Sequence, residues 1–96
     1  IGGRVGTVVG RKLWGLSNDH QVLCITHLPQ LAGFGDAHFK VAKRVNGDRT
    51  TTDVQPLDAA ARIDEISQML GTDGKATRQS AIELLKMVEG EKHKTA

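Results

Sequence analysis

The sequence predicts an α/β fold, and three observations predict it. Apolar residues recur at helical spacing over positions 4–16, a β-branched apolar run fills 21–26, and an alternating stretch leads into Asn46-Gly47. The order that follows is helix, buried strand, short helix, β-hairpin and two C-terminal helices.

In the first element Val5, Val8, Val9, Leu13 and Leu16 step by three and four residues, which sets them on one face of an amphipathic helix. Gly2, Gly6 and Gly10 repeat every fourth residue and form a small-residue stripe that lets a second backbone come close. Ser17-Asn18-Asp19 breaks the period, because their side chains bond to nearby backbone and favour turns. Val22, Leu23, Cys24 and Ile25 are consecutive, the pattern of a strand buried on both faces inside a parallel sheet. Pro29 stops that strand, and residues 28–34 form a short helix closed by Gly35.

Over 38–45 the residues Phe39, Val41, Lys43 and Val45 alternate with Lys40, Ala42 and Arg44. Asn46-Gly47 supplies the positive φ angles of a tight turn, and 50–55 returns as the second strand until Pro56. Asp58 is the N-cap of a helix with Ala59, Ile63, Ile66 and Leu70 on one face and Gly71 at its end. Thr77 caps a last helix that gathers Ala81, Leu84, Leu85 and Val88, and 89–96 should fray.

A chain of 96 residues can hold one small domain, and a second independent core is excluded. With 39% apolar and 25% charged residues it is neither disordered nor membrane-spanning, since no apolar run approaches the roughly eighteen residues a bilayer needs. The single cysteine excludes an internal disulfide framework and predicts a reducing, cytoplasmic compartment. The first 49 residues carry seven Lys/Arg against three Asp, and the remainder six against eight acidic groups, so a +4 half precedes a −2 half. Scattered cations without interleaved aromatics read as a solvated surface rather than a nucleic-acid footprint. A doubly buried strand needs a neighbour on each edge, and one hairpin cannot provide both. That need, with a start at Ile1 rather than Met, predicts a piece of a longer protein whose sheet continues elsewhere.

Little in the chain could carry chemistry. His27 falls at the carboxyl end of the buried strand, where open α/β sheets bind ligands, and its imidazole could donate to a phosphate oxygen or an attacking water. A structural histidine is the competing reading. Cys24 and His27 stand three apart, which on a regular strand puts them on opposite faces, so no metal site is expected and Cys24 reads as a small buried hydrophobe. Gly-x-Ser-x-Gly, Gly-x-x-x-x-Gly-Lys-Ser/Thr and Gly-x-Gly-x-x-Gly do not occur.

The stretch IGGRVGTVVGRKLWGL, the segment ITHLPQLAGFGD at 25–36, and the closing ARIDEISQMLG and TRQSAIELLKM together resemble the C-terminal end of the RecN family, bacterial DNA repair ATPases related to the SMC proteins. The resemblance covers nearly the whole chain. It implies that residues 1–96 are the C-terminal part of an ATP-binding-cassette (P-loop NTPase) head, in which two heads of a homodimer close around two ATP molecules. It implies that His27 is the switch-loop histidine that contacts the γ-phosphate, and that Ile1, Gly2 and Gly3 are the tail of the D-loop at the dimer interface. ATP and Mg²⁺ belong to the intact protein, and none is expected in this chain alone, because the phosphate loop, the Asp-Glu pair that holds Mg²⁺ and the signature motif of the family are missing here. The implied partners are the remainder of the head, a second head and DNA, with no membrane; the implied setting is the cytoplasm at the nucleoid, in double-strand break repair and recombination. Exposed strand edges also predict self-association of the isolated chain. The alternative is a free-standing α/β interaction module that uses Lys40, Lys43, Arg44 and Arg49 on or near the hairpin to contact nucleic acid or protein.

Overall fold

In a computed structural model, which describes residues 3–71 and 74–94, the chain is mixed α/β. Helix α1 (Gly3–Leu16) is followed by the short α2 (Pro29–Ala32), strands β1 (Phe39–Asn46) and β2 (Arg49–Pro56), then α3 (Ala59–Leu70) and α4 (Lys75–Lys94). The strands form a two-stranded antiparallel sheet, with Phe39 opposite Pro56 and Asn46 opposite Arg49. The radius of gyration is 14.4 Å, above the roughly 12.5 Å of a compact chain of this length. On the hairpin, Phe39, Val41, Val45 and Val54 of the apolar face are all exposed.

What core there is lies between the helices. Ile66 on α3 and Ala81 and Val88 on α4 are buried together with Phe34, which follows α2. Asp58 caps α3 as its sequence position predicts: its Oδ1 accepts a bond from the Ala61 N–H at 2.8 Å. Gly71 ends the helix with φ +147°, a conformation that favours glycine.

The glycine stripe determines how α1 packs. A methyl group on Gly6 would lie 3.1 Å from Cβ of Gln30, and one on Gly10 would press into the ring of Phe34. The segment 29–34 therefore rests directly on the backbone of α1. Gly10→Ala is expected to destabilise the chain by about 1–2 kcal/mol, because overpacking outweighs the gain in helix propensity. At Gly15, where nothing lies within 4 Å, the same change should stabilise by up to about 1 kcal/mol. Denaturant unfolding of both variants checks the pair, and equal effects would contradict the close contact.

Several expectations are corrected. Residues 21–26 form no strand: they pair with nothing among the described residues, and Leu23 and Ile25 are 87% and 93% exposed. The reason is the one that made the strand demanding: a doubly buried strand needs a neighbour on each side, and the only strands among the described residues, β1 and β2, pair with each other and could offer it one edge at most. Cys24 is consequently exposed rather than buried. On α1 the face of Val5, Val8, Val9 and Leu16 points to solvent, because the glycine edge takes the inner side.

Asn46 is the last residue of β1, and the turn is Gly47-Asp48. Of these two turn residues only Gly47 has a positive φ, +64°, which is the pattern of a type II′ turn. The last helix begins at Lys75, with Arg78 N–H bonded to Gly74 O, so Thr77 is inside it and caps nothing. Residues 89–94 remain helical instead of fraying, because Arg11 bonds Glu91 at 3.1 Å and Lys92 is buried against Trp14 and Asp36.

Candidate functional site: the segment that carries His27

His27 is exposed and stands two residues ahead of α2. Irregular backbone leads into it, and a tightly bonded unit follows. The Leu28 N–H donates to Thr26 Oγ1 at 3.0 Å, a bond that spans His27. The Leu28 carbonyl accepts from Leu31 and Ala32, Pro29 O from Gly33, Leu31 O from Phe34 and Ala32 O from Gly35. Pro29 opens the turn because its missing N–H and fixed φ suit the first helical position.

A helix of four residues cannot hold itself, so the unit is held from outside. From α1, Gly6 and Gly10 receive Gln30 and Phe34, and the Trp14 indole N–H donates to Asp36 Oδ1 at 3.3 Å. From α3, Arg62 Nη2 donates to the carbonyls of Ala32, Gly33 and Gly35 at 3.2, 2.9 and 2.7 Å. From α4, Leu84 and Val88 close over Gly33, and Lys92 Nζ lies 3.2 Å from Asp36 Oδ1 and 5.6 Å from the Trp14 ring centroid. Three helices thus fix residues 28–36, while His27 at their leading end stays in solvent.

Of these holding residues the glycine stripe and the apolar Leu84 and Val88 can be read from the sequence, while Arg62, Trp14, Asp36 and Lys92 belong to no motif. Arg62 carried a signal nonetheless, since it is a cation set among Ala59, Ile63 and Ile66 at helical spacing. Asp36 closes the ITHLPQLAGFGD segment, but nothing in the pattern names Trp14 and Lys92 as its partners.

Behind the segment lies His38, next to Arg62. Burial first, and the Arg62 charge second, hold the His38 imidazole below its ordinary value near 6.5, while Glu65 acts in the opposite sense. Its Nδ1 and Arg62 Nε are both buried without a hydrogen-bond partner. Burial also lowers Arg62, against the raising charges of Asp36 and Glu89. In the unfolded chain His38 binds a proton as pH falls through about 6.5, whereas the folded chain takes it up only at lower pH. Stability is therefore fully present above about pH 6.5 and declines as pH falls through the folded value. Thermal unfolding at about pH 7.5 and about pH 5.5 should show a loss of Tm that is smaller in His38→Gln. An identical loss in the two proteins would refute the assignment.

Of the other expected positions, Ile1 and Gly2 lie outside the described residues, and Gly3 is the first residue of α1. The four hairpin cations do not form one open patch, since Lys40 pairs with Glu65 at 3.5 Å and Arg44 with Asp53 at 2.9 Å. Among the described residues no three His, Cys, Asp or Glu side chains converge on a position that could hold a metal ion. Among them, too, no helix is long and apolar enough to cross a membrane.

No family model matches the sequence. Individual proteins do match. The chain is 41% identical to the DNA repair protein RecN of Bacillus subtilis over 93 residues, which are 93% of this chain and 16% of that protein. It is 46% identical to RecN of Xylella fastidiosa over 71 residues, 74% of this chain and 13% of the relative. With RecN of Streptomyces coelicolor the identity is 35% over 94 residues, 96% of this chain and 16% of the relative. The His27 segment lies within a chain that aligns nearly end to end with these proteins but spans only about a sixth of their length. By sequence, this chain is a segment of the RecN family of DNA repair proteins.

Proposed function

We propose that residues 1–96 are the C-terminal part of the ATP-binding-cassette head of a RecN-type, SMC-related ATPase, and that His27 is its switch histidine. The observation that carries this reading is an exposed imidazole at the leading end of a segment held by three helices. Such an arrangement suits a group that must meet a ligand from outside the chain in one orientation. The matching proteins are DNA repair proteins by name, and the reading extends that role to this chain, working on double-strand breaks and recombination in the cytoplasm at the nucleoid.

An exposed imidazole fits a phosphate oxygen. In this reading the His27 N–H donates to the γ-phosphate and helps orient the attacking water, a contact that strengthens as charge develops. ATP with Mg²⁺ supplies the transferable phosphoryl group. The phosphate cradle and the metal ligands come from the remainder of the head, since among the described residues no carboxylate cluster stands beside His27. Ile1, Gly2 and Gly3 then form the tail of the D-loop towards the second head of a homodimer, and DNA is the partner of the whole assembly. In this reading the chain alone neither binds nor hydrolyses ATP appreciably, because the cradle and the metal site belong to the remainder of the head. Its exposed Leu23 and Ile25 favour self-association in isolation. The deciding measurement is kinetic: a His27 variant of the intact protein that hydrolyses ATP at the normal rate overturns the reading.

A further inference from the structure

We propose that Arg62 is a positioning residue for His27: its guanidinium fixes the far end of the bonded unit that begins at Thr26, and so sets where the imidazole stands. The proposal rests on the switch-histidine reading of His27.

Arg62 is the side chain that gathers the carbonyls at the end of α2 and just beyond it. One nitrogen, Nη2, reaches three of them, at Ala32, Gly33 and Gly35. A helix leaves its last carbonyls without internal partners, and in a helix of one turn those are nearly all it has. Bonds from an ionised donor are stronger than neutral ones, and the guanidinium is planar and always charged, so the attachment is stiff. The opposite end of the unit is closed by the Leu28 N–H to Thr26 Oγ1 bond across His27. Between them the Leu28 and Pro29 carbonyls are taken by Ala32 and Gly33. An unbroken series of hydrogen bonds thus runs from Arg62 on α3 to the residues flanking His27. Arg62 bonds the far end of the unit and not His27, and it is half-buried where Ile66, Ala81 and Val88 are fully buried. Its removal should therefore loosen the placement of the imidazole before it unfolds the chain.

The test uses a full-length RecN-family protein carrying this segment, with Arg62→Met, His27→Ala and the double variant compared for steady-state ATP hydrolysis. Arg62→Met is expected to lower kcat by about tenfold with KM for ATP changed less than about twofold, the signature of misplacement rather than lost binding. In the His27→Ala background the same change should alter kcat by less than about twofold, because the group being positioned is gone. Arg62→Lys, which keeps the charge but not the planar fork, should fall between wild type and Arg62→Met. A normal kcat in Arg62→Met overturns the proposal, and so does an equal fall with and without His27. If Arg62→Met does not fold, Arg62→Lys carries the same comparison in both backgrounds. A normal rate in His27→Ala alone overturns the reading of His27 itself, and the positioning role with it, whatever Arg62→Met does.

Discussion

His27→Ala in an intact RecN-family protein carrying this segment is expected to lower kcat for ATP hydrolysis by about a hundredfold or more, while ATP affinity changes by less than about threefold. Removing one preorganised donor aimed at developing charge costs roughly 10²–10³ in kcat, about 3–4 kcal/mol of transition-state stabilisation. Ground-state affinity is set mainly by the phosphate cradle and the metal, and those come from outside this chain in the proposed division of labour. The imidazole is exposed, so its truncation opens no buried cavity. A comparable loss in affinity and turnover would assign His27 to nucleotide binding instead. An unchanged kcat would remove it from the reaction. Single-turnover measurement with saturating ATP separates the outcomes, since it isolates the chemical step from product release.

Ile66→Ala should have the largest effect on stability, a loss of about 2–5 kcal/mol. Ile66 is wholly buried between α3 and α4, and few apolar side chains share that state with it. A domain of this length has a total stability of roughly 5–14 kcal/mol, and so small a core puts the chain near the bottom of that range. The substitution is therefore expected to leave the 96-residue chain substantially unfolded near 25 °C, as urea denaturation followed by circular dichroism would show. In a protein where the rest of a domain packs against this chain, the same change should be tolerated better. A loss below about 1 kcal/mol would mean that the α3–α4 contact relaxes around the cavity or is not the core.

How much of this was legible in the sequence depended on where each element finds its partners. The hairpin, α3 with Asp58 and Gly71, and the short helix after Pro29 could all be read, because their signals are local: alternation, a cap, a fixed φ. The apolar run at 21–26 could not be read to a correct structure, since periodicity reports what a segment would bury and says nothing of whether neighbours are present. The valine face of α1 misled for the same reason: two faces of that helix can be packed, and within this chain the glycine edge prevails. His27 was marked by its position and by the family resemblance. Arg62, Trp14, Asp36 and Lys92 were not, because their contacts join residues 22 to 78 positions apart.

The seating of Gln30 over Gly6 and of Phe34 over Gly10 has a mechanical consequence. Both pairs are spaced by four residues and run in the same direction, so the two backbones mesh like a short rack. At Gly6 the contact is made by Gln30 Cβ, close to its own backbone, and at Gly10 the ring of Phe34 fills the notch. Advancing the segment by one tooth, about 6 Å, would drive Phe34 onto the indole of Trp14, which is already held by Asp36. Forward travel along α1 is blocked, and small forces on the helix must be passed to the His27 segment as a whole-body push rather than absorbed by slippage.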